Sequence, residues 1–150
     1  MVLAIWLFSL HLLVSLMMTG VIWFVQIVHY PLFRRVGDEH FTAYEAAHTQ
    51  RTGWLVAPLM LAELGSGIAL HWTEMWEGWN AFIWANSLLL AGIWLCTFFI
   101  QVPLHGALLE ARNARAIDRL VWTNWIRSFL WSARAGILVY IASQQMISIA

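Results

Sequence analysis

Three histidines stand where apolar segments begin or end, and they are the residues of this sequence best suited to chemistry. His29 closes the first apolar segment, His48 precedes the second and His105 follows the third. If these segments cross a membrane as helices, the three imidazoles lie at the same level. Neutral imidazoles bind borderline metals such as Fe, Cu and Zn, and two of them serve as axial ligands of a haem. The sequence therefore predicts a metal ion or haem held by His29, His48 and His105, with Tyr44 beside them as a catalytic candidate.

A second reading of the same histidines needs no ligand. No HxxxH or HExxH pair places two of them on one helix, and a lone histidine at a membrane interface usually forms hydrogen bonds only. His11 lies deeper in its segment, where a hydrogen bond across the bundle is the simpler role.

Charged residues deep inside two of the apolar segments are the next candidates. Glu63 lies about 15 Å into the second helix and Arg134 about 20 Å into the fourth, at a rise of about 1.5 Å per residue. We expect Glu63 to pair with Arg127 or Arg134. Such a pair either sets the register of the helices or forms a polar floor that orients metal ligands and relays protons.

The composition places these residues in a membrane protein. Of 150 residues, 61% are hydrophobic and 11% charged, the mean hydropathy is +0.70, and eleven are tryptophan. A soluble domain of this size has no core large enough for so much apolar surface. Eight arginines, no lysine and zero net charge give no reason to propose a nucleic-acid partner. The single cysteine, Cys96, excludes an intramolecular disulfide.

Four apolar segments are present, at about residues 3–30, 52–72, 81–102 and 120–149, and each reaches the roughly 20 residues that cross a bilayer as a helix. Polar residues recur along each segment at helical spacing, so each helix has one polar face. We predict an all-α single domain, a four-transmembrane-helix bundle with these faces inward. Residues 33–48 and 108–120 are predicted to form two short amphipathic helices at the interface.

Two short patterns occur once in each half of the chain, and they suggest a parallel internal repeat. His29-Tyr-Pro31-Leu matches Gln101-Val-Pro103-Leu, and a polar residue three positions before an arginine occurs at residues 48–51 and again at 124–127. Both halves would begin on the same side of the membrane.

The distribution of charge predicts the orientation. Six of the eight arginines lie at or beside the connections after the first and third segments. The middle connection holds Glu74 and Glu77 and no basic residue, and it is flanked by Trp72, Trp76 and Trp79. By the positive-inside rule this predicts a multi-pass inner-membrane protein with the arginine-rich connections in the cytoplasm and both termini outside.

Several short motifs together resemble a family of small bacterial four-helix membrane proteins, largely uncharacterised. They are His29-Tyr-Pro31-x-Phe33, Tyr44-x-x-x-His48, Pro58-x-Met60-x-x-Glu63, Gln101-Val-Pro103-Leu-His105 and Asn124-Trp-x-Arg127-x-x-x-Trp131. That group is similar in layout to the anthrone-oxygenase-like membrane proteins. The resemblance covers nearly the whole chain and implies oxygen chemistry on an apolar aromatic substrate within the bundle, without specifying a cofactor.

The first functional prediction is therefore a membrane oxidoreductase or oxygenase. It would hold a metal ion or haem at the cytoplasmic mouth of the bundle and act on an apolar small molecule, with the lipid bilayer around it. Two alternatives stay open: a small-molecule or proton transporter gated by Glu63 and Arg134, and a structural or assembly subunit. A homo-oligomer is compatible with all three.

Overall fold

The fold was examined in a computed structural model, which describes residues 2–73 and 78–149. Within these ranges the chain is helical and contains no strand, as predicted. Four long helices run antiparallel to their neighbours in sequence: α1 (Val2–Arg35), α2 (Asp38–Leu70), α3 (Asn80–Glu110) and α4 (Ala114–Ile149). We call the end of the bundle where α1 meets α2 and α3 meets α4 the histidine end, because it holds His29, His48 and His105.

Helices α1 and α3 each contain one turn of π-helix, which ends two residues before a proline. The α-helix Val2–Phe24 passes through a π turn, Val25–His29, into a last stretch that contains Pro31, and α3 repeats this with Thr97–Gln101 before Pro103. Proline has no N–H to donate and its ring crowds the preceding turn, so a wider turn there keeps the helix continuous. Such turns often occur at functional sites. The internal repeat itself stays a prediction.

Three of the four helices are long and apolar enough to cross a membrane: α1, α2 and α3. Many large apolar side chains face outward, among them Trp6, Phe24, Trp54, Leu88 and Phe99. This is the architecture of a membrane protein. Helix α4 is as long, but its buried side carries Asn124, Arg127, Ser128 and Arg134. That α4 is a fourth membrane span stays a prediction.

The two predicted interfacial helices are not separate elements. Residues 38–48 are the first turns of α2, residues 102–110 are the last turns of α3, and only residues 111–113 connect α3 to α4. Their apolar side chains pack into the bundle, where Phe41 and Leu108 are fully buried. The continuous helices extend beyond the apolar segments predicted to end or begin at 30, 52, 102 and 120, because hydropathy marks the apolar part of a helix and not its whole length.

The connection between α2 and α3 is described only in part. Gly78 there has a φ of +85°, a conformation that glycine adopts without strain. Glu74, Trp76 and Glu77, on which the predicted orientation partly depends, lie outside the described residues.

Apolar clusters alternate with polar layers along the bundle axis. Phe33, Phe41 and Leu120 pack at the histidine end, Met18, Met60 and Trp131 near the middle, and Phe8, Leu70 and Ile141 towards the far end. The inward polar side chains therefore lie in separate layers with apolar packing between them.

Candidate functional site

The three predicted histidines meet at the histidine end, each carried by a different helix. His29 Nε2 lies 2.7 Å from His48 Nδ1, and the ring centroids of these two residues are 4.6 Å apart. The ring of His105 lies 5.3 Å from that of His48. The π turn of α1 ends at His29, so the local change of pitch helps to place this imidazole against α2. We call His29, His48, His105 and their bonded neighbour Glu45 the histidine cluster.

Glu45 was not identified from the sequence. Its side chain is 0% exposed, and Oε1 lies 2.5 Å from His105 Nδ1. Its other carboxylate oxygen, Oε2, is buried and has no hydrogen-bond partner among the described residues. One signal in the sequence points to it: Glu45-Ala-Ala-His48 places a carboxylate and an imidazole three residues apart on one helical face.

The inner tyrosine of the cluster is Tyr30 and not Tyr44. The hydroxyl of Tyr30 lies 2.9 Å from His105 Nε2, and Tyr30 is buried. A carboxylate accepts hydrogen bonds only, so His105 Nδ1 donates to Glu45, and in a neutral ring Nε2 accepts from Tyr30. Tyr44 lies at the rim, half-buried, with its ring 6.4 Å from that of His29.

An apolar wall and one hydroxyl complete the surroundings of the histidines. The fully buried ring of Phe33 meets the rings of His29 and His48 edge-on, at centroid distances of 5.3 and 5.0 Å. Thr52 Oγ1 lies 3.0 Å from His48 Nδ1. The imidazoles are therefore packed against an aromatic ring and within hydrogen-bonding distance of one hydroxyl.

A middle layer of amides and one guanidinium lies below the cluster. The side-chain amide of Asn124 donates to Gln26 Oε1 at 2.9 Å, and its Oδ1 accepts from Arg127 at 3.2 Å. The guanidinium of Arg127 also lies over the ring of Trp131, 5.1 Å from its centroid. Arg127 does not pair with Glu63, which decides between the two predicted pairings.

The deepest layer is the ion pair of Glu63 and Arg134, which is one of the two pairings predicted from the sequence. Both side chains are fully buried, and Arg134 Nη1 donates to Glu63 Oε1. Arg134 also donates to Asn86 Oδ1 at 3.1 and 3.2 Å, and its Nη2 lies 3.2 Å from His11 Nε2. The indole N–H of Trp131 contacts both oxygens of Glu63 at 3.2 and 3.3 Å.

Two serines close this deep layer. Ser15 donates to Glu63 at 2.8 Å, and Ser66 lies 2.8 Å from His11 Nδ1. His11 therefore bonds across the bundle, as predicted. From His48 to Glu63 the chain climbs about 22 Å along α2, at about 1.5 Å per residue. The ion pair is thus a separate layer and does not contact the histidine cluster.

The cluster has the right donors for a metal but is not arranged around one point. In the described part of the chain, no three His, Cys, Asp or Glu side chains form a metal-binding group. The nitrogens of His29 and His48 are 2.7 Å apart, whereas two ligands of a tetrahedral ion with bonds of about 2.0–2.1 Å are separated by about 3.3 Å. To bind one ion, the nitrogens of His29 and His48 would have to move apart by about 0.6 Å, and His105 Nε2 would have to exchange the Tyr30 hydroxyl for the metal. No protein-family model, curated protein or solved structure matches this chain.

Proposed function

We propose that this protein is a membrane oxidoreductase that binds one transition-metal ion through His29, His48 and His105, with Glu45 as a fourth ligand or as charge partner. The observation that carries the proposal is the buried carboxylate among three imidazoles. Each histidine comes from a different helix, and one oxygen of the carboxylate has no partner in the described residues. Folding the bundle therefore assembles the site.

The electrostatics of Glu45 favour a bound cation. A buried carboxylate is costly unless a positive charge or several donors compensate it, and in the described ranges Glu45 has one donor, His105. A divalent ion supplies that charge and takes neutral imidazoles as ligands. The Glu45-x-x-His48 spacing is also the one by which helical bundles present a carboxylate and an imidazole to a metal.

The packing of the rings favours a single ion over a haem. A porphyrin with two axial histidines needs a flat slot between the imidazoles. Here the rings of His29 and His48 are 4.6 Å apart, and Phe33 occupies the adjacent space. A mixed nitrogen and oxygen donor set suits iron, copper or zinc. The proposed redox chemistry requires iron or copper, because zinc does not change its oxidation state.

The layers below the cluster support it in this proposal. The Gln26–Asn124 hydrogen bond ties α1 to α4, Arg127 orients Asn124 from one turn further along α4, and the Glu63–Arg134 pair ties α2 to α4. Because the ligands come from three helices, their convergence depends on the relative register of those helices. We assign these layers the task of holding that register.

Metal analysis of the purified protein tests the proposal. The full chain is purified in detergent without chelators from metal-supplemented cells, and its metal content is measured together with visible absorption and electron paramagnetic resonance spectra. We expect about one iron or copper ion per chain, a stoichiometry typical of a mononuclear site. His29→Ala/His48→Ala is expected to lose it, and Glu45→Gln, which keeps size and removes charge, to reduce it strongly.

The matched control is His71→Ala. His71 is exposed at the far end of α2, where it bonds Ser87 at 2.8 Å, so its replacement leaves the metal content unchanged. Circular dichroism shows whether each variant is folded. A double variant that keeps its full metal content overturns the proposal, and so does a well-folded, colourless and metal-free wild-type protein. The second result would favour a transporter or a structural subunit.

A further inference from the structure

A groove on the outer surface of the bundle leads to the histidine cluster. It lies between α1 and α2 and has a volume of about 310 Å³, at the lower end of the about 300–1,000 Å³ found for small-molecule sites. Its walls are apolar for most of their length. Of its two polar residues, His29 belongs to the histidine cluster and Thr52 bonds to it. The lining residues are Gly20, Val21, Phe24, Val25, His29, Thr52 and Leu55.

The groove opens towards the lipid. Phe24 and Leu55, on its two rims, are 58% and 52% exposed, and both belong to helices apolar enough to cross a membrane. At Gly20 a Cβ would meet no atom within 4 Å, so this position borders open space. From Gly20 to His29 the groove extends about 14 Å along α1, at about 1.5 Å per residue.

The polar end of the groove is bonded directly to the cluster. His29 lines the groove and lies 2.7 Å from His48, and Thr52 lines it from the other side and lies 3.0 Å from the same His48 nitrogen. An oxygen atom on a ligand in the groove would therefore reach a hydrogen-bonding group that touches the proposed metal ligands. The ring of Phe24 lies within 22° of parallel to that of His29, which gives this end a flat wall.

We infer that this groove is the substrate site of the proposed oxidoreductase, and that its substrate is a neutral, lipid-dissolved ring compound carrying a hydroxyl or carbonyl oxygen. The inference rests on the proposed function. Among the described residues, no Asp, Glu, Lys or Arg lines the groove, and a charged ligand would be costly at this depth. The flat aromatic wall fits a ring, and the His29 and Thr52 side chains fit one oxygen. Entry is lateral, from the bilayer.

Photolabelling with 4-hydroxybenzophenone, a neutral ring compound that cross-links on irradiation, tests the inference. The full chain in lipid nanodiscs is irradiated with the probe, and labelled peptides are mapped by mass spectrometry. We expect labels within residues 20–29 and 52–55, competed by unlabelled 1-naphthol. Gly20→Leu fills the groove and is expected to lower this labelling about tenfold, which corresponds to about 1.4 kcal/mol of binding free energy.

Gly65→Leu is the matched control. Like Gly20 on α1, Gly65 on α2 is exposed and has open space around it, but it lies outside the groove. Labelling at the groove should therefore stay unchanged in Gly65→Leu. Leucine favours helix more than glycine does, so both variants fold. Thr52→Val tests the polar end and is expected to weaken labelling by 4-hydroxybenzophenone but not by benzophenone, which lacks the hydroxyl.

Two results overturn the inference. One is labelling of the groove that Gly20→Leu does not reduce. The other is equal labelling by 4-hydroxybenzophenone and benzophenone, which would indicate that the groove binds only lipid chains. Metal content measured on the same samples separates the two proposals: labelled, metal-free protein contradicts the proposed metal centre, whereas metal-loaded protein without groove labelling contradicts the substrate site alone.

Discussion

Removing the guanidinium of Arg134 is the sharpest test of how the bundle interior is held together. Arg134→Met leaves the fully buried carboxylate of Glu63 with two neutral donors, Ser15 and Trp131, and no cation in contact. Breaking a buried ion pair on one side costs about 3–5 kcal/mol, because the remaining charge is uncompensated. An average interhelical hydrogen bond in a membrane protein contributes only about 0.6 kcal/mol. We therefore expect Arg134→Met to lower the free energy of unfolding by about 3–5 kcal/mol.

A second substitution identifies the buried charge as the cause. Glu63→Gln keeps the shape of the side chain and its hydrogen bonding to Ser15 and Trp131 but removes the negative charge. Added to Arg134→Met, it should recover about 2 kcal/mol or more, since pairs in direct contact have coupling energies of about 0.5–3 kcal/mol. A double variant less destabilised than Arg134→Met alone is thus the expected result.

The assay is equilibrium unfolding in mixed detergent and SDS micelles, followed by circular dichroism. Arg115→Met serves as control, because Arg115 is exposed at the start of α4 and its loss should leave the free energy of unfolding nearly unchanged. A loss below about 1 kcal/mol for Arg134→Met, the range of an exposed ion pair, would refute the argument. So would the absence of any recovery on adding Glu63→Gln.

Two further predictions concern close packing and the surface. A Cβ at Gly67 would lie 3.0 Å from His11 Cε1, so Gly67→Ala displaces that ring and should cost about 1–3 kcal/mol in the same unfolding assay. Gly65→Ala, where a Cβ meets nothing within 4 Å, should be neutral or stabilising, and equal effects would contradict the packing argument. Asp118→Asn breaks the 2.7 Å ion pair between Asp118 and Arg34, whose side chains are 52% and 51% exposed, respectively. It should change the free energy of unfolding by less than about 1 kcal/mol, and a larger loss would show that this pair is not solvated.

The level at which the histidines meet was predictable, but their chemical surroundings were not. His29, His48 and His105 stand at segment ends, and antiparallel helices bring such ends together. Glu45 stands among charged and polar residues, a pattern typical of a solvated face. Only the packing of α2 against α3 buries its carboxylate beside His105. The sequence likewise pointed to Tyr44 and not to Tyr30. Tyr30 directly follows the π turn of α1, and its hydroxyl faces His105 in the folded bundle.

The choice between Arg127 and Arg134 shows where sequence reasoning ends. Both stand on the same face of α4, two turns apart, and either spacing suits an ion pair with Glu63. The pairing depends on how far α4 is shifted along α2, and no local pattern encodes that shift. In the structure Trp131 lies between Arg127 and Glu63: its ring stacks under Arg127, and its N–H faces Glu63.

The sequence by itself determined the helical class, the apolar exterior and the inward polar faces, because these follow from composition and from a period of 3.6 residues along one chain. The full length of the helices, the partner of Glu63 and the burial of Glu45 were decided only by the tertiary structure. Each of these depends on contacts between residues far apart in sequence. Such contacts arise when the helices pack at one particular rotation and shift.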